Sequence, residues 1–313
     1  MNRCQRDKFF LTTLLLIGQA ICGLSTPSQP DIRSLYFEVI STQDKLPNSV
    51  IRCIDQDSIG FLWFGSNDGL FRYDGQNYQI FRNVPNDPAS LSFNYVVDMH
   101  LDREGNPWVL NYTSLDKLNT RNGTFRHYHP LSQDEPIDLG AVYQIAISPE
   151  ENVFITSVRH GLLIKAQNDS VIRMLDAKHH FPEIAANLEA ITWHNNCLYV
   201  GKKHEGLFKI TLSDDERSIA GVEKIAASSH AETFTILIDH TNRLWAGTSD
   251  GIILYDLTNG KTQHFRYLPP LNTFLPDREV LSLLIDDRDN LWIGTRENGL
   301  SIAAIADIMR DGE

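Results

Sequence analysis

Asp57-Ser58-Ile59-Gly60-Phe61-Leu62-Trp63-Phe64-Gly65-Ser66-Asn67-Asp68-Gly69-Leu70-Phe71-Arg72-Tyr73-Asp74 alternates short apolar runs with residues that turn a chain. Asp57 to Gly60 offers what a tight hairpin turn needs, and residues 61–65 form a run of the kind buried on both faces of a sheet. Gly69 marks the next reversal, residues 70–73 a third strand, and Asp74-Gly75 another turn before Tyr78-Gln79-Ile80-Phe81. With residues 51–54 upstream, the stretch predicts four short strands within about 32 residues, close to usual strand lengths once turns are included.

The pattern returns along the chain. Trp63, Trp108, Phe154, Tyr199, Trp245 and Trp292 stand 45, 46, 45, 46 and 47 residues apart. Six residues before each marker come Asp57, Asp102, Ser148, Trp193, Asp239 and Asp286, and three before come Gly60, Gly105, Glu151, Asn196, Asn242 and Asp289. Gly, Asn and Asp tolerate positive φ most readily, so the second column reads as a left-handed turn position. Gly69, Gly161, Gly206, Gly251 and Gly299 reopen the chain after the marker; the second copy has Ser114 there, which predicts a different turn. Four-stranded units of this period cannot bury both faces alone. They predict an all-β fold, a β-propeller whose blades sandwich the marker aromatics, rather than a row of ligand-stacking rings. Trp193, in a column otherwise rich in Asp, is expected to mark a local repacking near His194.

Six copies and 313 residues give six blades in one domain. The sixth copy lacks a fourth strand, while Leu35-Tyr36-Phe37-Glu38-Val39-Ile40 precedes the first copy as a strand without a blade. The expected closure pairs this N-terminal strand into the last blade, giving a propeller over 35–305 and a C-terminal tail over 306–313. The alternative is part of a seven-bladed propeller.

Arg3, Arg6 and Lys8, an apolar stretch over 9–18 and the small residues Ala20, Cys22, Gly23 and Ser25 lay out a secretory signal peptide over 1–25. A periplasmic or secreted protein follows, with no direct membrane insertion after cleavage. Cys53 and Cys197 fall on blades expected to be far apart, so no disulfide is predicted. With 42% hydrophobic and 22% charged residues the chain is globular, and its net charge of -12 argues against nucleic acid as a partner. CxxC, HExxH, P-loop and GxSxG patterns are missing, and no cofactor is predicted.

The stretch 57–74 resembles the two-component regulator propeller repeat, roughly D-x-x-G-x-L-W-x-G-T-x-x-G-L-x-R-Y-D, and Pro85-Asn86-Asp87-Pro88-Ala89-Ser90-Leu91-Ser92-Phe93-Asn94 is similar to that family's linker between blades. The likeness is good in the first, fifth and sixth copies, partial in the second and weak in the third and fourth. It implies the exported sensor portion of a bacterial signalling protein, partnered by a membrane-bound output module and often responding to carbohydrates.

The loops between second and third strands share one face of such a ring, where rigid scaffolds carry function. In an acidic protein they hold Arg159, His160, Lys202, Lys203, His204 and Arg296, which together with Tyr112 form the candidate ligand site. Arg159 and Lys202 fit an anionic or polar ligand such as an acidic saccharide, and Tyr112 fits a sugar ring. Against this stands a set of solvated surface charges offset by Glu205 and Glu297. The expected function is non-enzymatic ligand sensing. One alternative is a propeller lyase or hydrolase in which His160 and His204 converge on a cation, and another is a protein-interaction scaffold.

Overall fold

A computed structural model describes residues 50–132, 135–175, 180–226, 231–267, 275 and 277–311, all within one compact unit spanning 45–313. The signal segment and the strand expected over 35–40 lie outside the described residues.

The chain forms a six-bladed β-propeller of consecutive antiparallel sheets. The first blade holds β1 (Ile51–Gln56), β2 (Leu62–Ser66), β3 (Gly69–Tyr73) and β4 (Tyr78–Phe81). The second holds β5 (Asp98–Leu101), β6 (Pro107–Leu110), β7 (Leu115–Asn119) and β8 (Thr124–Tyr128). In the third, β11 (Val142–Ile147), β12 (Val153–Ser157), β13 (Gly161–Lys165) and β14 (Ile172–Met174) are joined by an extra hairpin, β9 (Pro130–Ser132) and β10 (Glu135–Pro136). The fourth holds β15 (Leu188–His194), β16 (Cys197–Lys202), β17 (Gly206–Leu212) and β18 (Ile219–Ala226), and the fifth β19 (Thr233–Ile238), β20 (Arg243–Thr248), β21 (Gly251–Asp256) and β22 (Thr262–Phe265). The sixth has β23 (Val280–Ile285), β24 (Asn290–Thr295) and β25 (Leu300–Ala304), followed by a helix over Ile305–Asp311.

Two departures from four strands per blade have local causes. The short outer strand β14 leaves an edge that β9 fills in parallel, Ile172 opposite Pro130 and Arg173 opposite Leu131. In the sixth blade the expected tail is instead a helix from Ile305, whose Ile305 and Ile308 are buried with Trp245, Leu291 and Ile293.

The turn column follows its chemistry. Gly60, Gly105, Glu151, Asn196, Asn242 and Asp289 have φ of 100, 77, 59, 58, 62 and 59°. The Asp column does more than turn the chain. Asp57 Oδ1 accepts from the Ile59 and Phe61 amides, while its Oδ2 accepts from Trp63 Nε1 at 3.0 Å. Asp239 and Asp286 repeat this with Trp245 and Trp292, both at 2.9 Å. Each carboxylate therefore fixes its turn and the ring that fills the space between blades. In the second blade Lys117 Nζ takes Asp102 Oδ2 at 2.7 Å, and Trp108 Nε1 is left without a hydrogen-bond partner among the described residues.

Five markers are buried at the junction with the following blade. Phe81 and Phe265 stack on Trp63 and Trp245 from their own blades. Trp193 does this from the next blade, lying 5.7 Å from Phe154 with ring planes 13° apart. The repacking expected near His194 is thus a stack on the preceding marker, while His194 Nε2 faces Asn242 Oδ1 at 2.9 Å. Trp292 is only partly buried, and Leu284 opposite it is 62% exposed. Ile54, on the first blade, is 61% exposed.

The innermost strands β1, β5, β11, β15, β19 and β23 follow one another around the ring. Side-chain acceptors bind the first five of these in series: the Leu101 amide donates to Asp55 at 3.0 Å, Ile145 to Asp98 at 2.9 Å, Ile191 to Gln144 at 3.1 Å and Thr233 to Glu189 at 2.9 Å. Burial pushes the Asp98 and Glu189 carboxyls up, as desolvation disfavours their charged forms. Cys53 and Cys197 are free thiols, and burial raises that of Cys53.

Candidate functional site

One end of the ring carries the loops between second and third strands together with the starts of the innermost strands, because Ile51 pairs with Ser66, Val142 with Ser157 and Leu188 with Lys202. Each of these pairings is followed by an irregularity in register, as are those of Thr233 and Val280. A bulge lets extra residues on one strand face a single partner and re-aims their side chains. The residues released this way include Arg52, Tyr143, Glu189, Phe234 and Leu281, at the starts of the innermost strands, which ring the mouth of the propeller at this end.

Aromatic rings gather on one side of this mouth. Tyr112 and Tyr95 stack with centroids 5.0 Å apart and planes at 27°. The Arg52 guanidinium sits 4.3 Å from the Tyr95 ring and donates through Nε to Asn67 Oδ1 at 2.7 Å. Tyr112 is 42% exposed, and Tyr143 on β11 is equally so. Partial burial raises the Tyr143 phenol, and the Glu189 carboxylate pushes it the same way. Aromatic faces beside hydrogen-bonding groups suit a ligand with one apolar side and several hydroxyls.

The basic candidates are held by acidic partners on the same rim. Arg159 Nη1 reaches both oxygens of Asp138, at 3.0 and 2.8 Å, and His160 Nε2 faces the Asp138 carbonyl at 3.0 Å. Lys202 Nζ lies 2.7 Å from Glu205 Oε1. Lys203 pairs with Glu232, whose hydrogen bond raises the lysine pKa, and Arg296 pairs with Glu279 while lying 5.9 Å from the Phe234 ring. His204 has a φ of 62° and its amide donates to the Ala231 carbonyl. An anionic ligand at this rim would have to displace four carboxylates. Among the described residues no group of three or more His, Cys, Asp or Glu side chains is placed to hold a metal ion.

Of the sequence candidates, Tyr112 is the one drawn into the aromatic cluster; its neighbours Arg52, Tyr95 and Tyr143 were missed. A signal existed for two of them. Arg52, Val97, Tyr143, Glu189, Phe234 and Leu281 form a second column, at intervals of 45, 46, 46, 45 and 47 residues, whose chemistry varies. Variation at a fixed structural position is what a binding face on a repeat scaffold shows.

Residues 45–68 and 275–297 match the two component regulator propeller family. A stretch of 56 residues is 43% identical to histidine kinase P4 of Formosa agariphila, covering 18% of this chain and 4% of that protein. Among solved structures, the extracellular domain of BT3049 from B. thetaiotaomicron, described as a hybrid two component system, superposes with a TM-score of 0.56 at 19% identity, over 85% of this chain and 41% of that one. Virginiamycin B lyase from Staphylococcus aureus, solved with quinupristin, gives 0.61 at 14% identity over 82% of each chain. The chain thus spans about two fifths of the first of these structures and a small part of the kinase.

Proposed function

Because this chain carries two component regulator propeller repeats at residues 45–68 and 275–297, we propose that it is the extracytoplasmic sensor propeller of a bacterial two-component signalling system. Its ligand is a carbohydrate or a similar polyhydroxylated molecule, bound at the channel mouth over Tyr112. The observation that carries this reading is the exposed Tyr112 stacked on Tyr95, with Tyr143 equally exposed and near enough for the Tyr112 phenol to act on it electrostatically. Sugar rings present C–H faces to aromatic rings while their hydroxyls reach polar neighbours. The acid-paired state of Arg159, Lys202, Lys203 and Arg296 favours a neutral saccharide over a uronic one. The similarity to a lyase is one of fold, which carries no chemistry by itself.

The chain is exported by its N-terminal signal segment and transmits ligand occupancy to a membrane-bound output module. Titrating the exported domain with neutral and uronic oligosaccharides of equal length tests the ligand: binding of the neutral series supports the reading, and binding of neither removes it.

For closure of the ring we propose that residues 35–40 supply the fourth strand that the sixth blade lacks. The alternative closure, in which a seventh blade stands between the sixth and the first, would cover the exposed Leu284 and Ile54 faces. Deleting residues 35–40 separates the two: loss of amide protection across 300–304 supports strand closure, and unchanged protection supports a seventh blade.

A further inference from the structure

The segments that lead to Tyr95 and Tyr112 share a carboxylate that the ligand reading leaves unused. Asp116, on β7, is fully buried. Its Oδ2 accepts from the Ser92 amide at 2.9 Å and from Ser92 Oγ at 2.5 Å. Its Oδ1 accepts from Ser114 Oγ at 2.8 Å and faces His127 Nδ1 at 2.9 Å. Asn111 Nδ2 donates to Ser92 Oγ at 2.9 Å, and Asn111 Oδ1 accepts the Thr113 and Ser114 amides. One carboxylate therefore ties together the connection that leads into Tyr95 and the loop that carries Tyr112.

His127 adds a second tie. Its Nε2 lies 3.0 Å from the Pro88 carbonyl, in the same connection between the first and second blades. Both ring nitrogens thus face oxygen acceptors. Only imidazolium donates from both; a neutral ring that gives its proton to Asp116 turns a lone pair toward the Pro88 oxygen. Asp116, facing the ring from β7, favours the charged form, and Asp87 and His129 line the groove around it. Arg126 lies on the same strand, with its guanidinium over Tyr128. The Asp116 hydrogen bond raises the His127 pKa above its ordinary value, against a smaller opposing effect of burial.

We propose that Asp116 and His127 are positioning residues for the aromatic site, forming a protonation-dependent anchor that sets the Tyr95–Tyr112 pair through Ser92, Pro88 and Asn111. The proposal rests on the sensor reading only in calling that pair a ligand contact; the anchor itself is tested without ligand. With His127 charged, the connection is held at both Pro88 and Ser92. As pH rises through the folded His127 pKa, the Pro88 tie is lost and Ser92 alone holds the connection that leads into Tyr95.

NMR of the unliganded domain tests this directly. The His127 imidazole titrates above the ordinary histidine value, and the Tyr95 and Tyr112 ring resonances shift with the same midpoint. Protection of the Ser92 amide, corrected for intrinsic exchange, falls across that midpoint by about tenfold per unit of pKa displacement. In His127→Gln both pH steps disappear, while Arg126→Ala keeps them. Flat tyrosine resonances while His127 titrates would overturn the proposal, as would a pH step that survives in His127→Gln. The wild-type titration stands even if the variant fails to fold. Failure to bind any saccharide would leave these shifts in place and count only against the ligand reading.

Discussion

Glu216 of the fourth blade accepts hydrogen bonds from Ser148 Oγ at 2.6 Å and Asn152 Nδ2 at 2.7 Å, both in the third blade. Ser148 stands where Asp57, Asp239 and Asp286 stand in other copies, so a carboxylate lost from the turn has been supplied by a neighbouring blade. The marker here is Phe154, which has no indole N–H to satisfy. The acceptor instead serves the turn itself, and it crosses a blade boundary to do so.

Glu216→Ala leaves two buried donors unpaired. An unpaired buried polar group costs roughly 1–3 kcal/mol, so a clear fall in the urea midpoint with little change in slope is expected. A midpoint unchanged within error would show that water replaces the carboxylate without loss.

Asp239 contributes to the acid sensitivity of the fifth blade. Burial pushes its carboxyl up, but donors from Trp245, Thr241 and Arg243 outweigh this and hold it below the usual range. A depressed folded pKa contributes stability that is present above the unfolded value, near pH 4, and lost as pH falls through the folded one. Asp239→Asn is expected to lower stability at neutral pH and to flatten the acid limb of the stability profile, measured by urea denaturation at a series of pH values.

Lys165 has the opposite signature to His127. Its ammonium is buried between Trp108 and Tyr128 and donates to the Ala166 and Gln167 carbonyls; burial, aided by Arg126 and Lys117, brings its pKa down to about 8. The unfolded chain then binds more protons than the folded one above that pH, so this lysine makes stability rise with pH between about 8 and its unfolded value near 10.4. Lys165→Met is expected to remove that rise.

Trp245 and Trp292 share the marker position and the Asp hydrogen bond, but only Trp245 is fully buried. Trp245→Ala is expected to destabilise by roughly 3–5 kcal/mol and Trp292→Ala by markedly less, compared through their denaturation midpoints. Equal losses would mean that the Trp292 face is covered in solution.

The blade pattern was legible because each of its rules is local. Glu151 takes a φ of 59° as the third residue before its marker, although Glu seldom favours that region. Its neighbours in the column revealed the backbone need that its own identity hid. What escaped was made between blades. The stack of Trp193 on Phe154, the Glu216 carboxylate beneath Ser148 and the meeting of Tyr95 with Tyr112 all join residues from different turns of the repeat. A column of markers gives the period but not which partners face each other across a junction. The β9–β10 hairpin escaped for a related reason, since it depends on an edge left open by the short β14.

The candidate site was half legible. The face was found from loop positions, and Tyr112 from its departure from small polar neighbours. The basic residues stood out because the chain is acidic, yet Asp138, Glu205, Glu232 and Glu279 hold four of them in ion pairs.

The most direct test of the channel-mouth site is calorimetric titration of a neutral oligosaccharide into the wild-type domain, Tyr112→Ala and Arg159→Ala. Binding lost in Tyr112→Ala and kept in Arg159→Ala is the predicted result. Binding that survives in Tyr112→Ala but fails in Arg159→Ala would contradict it.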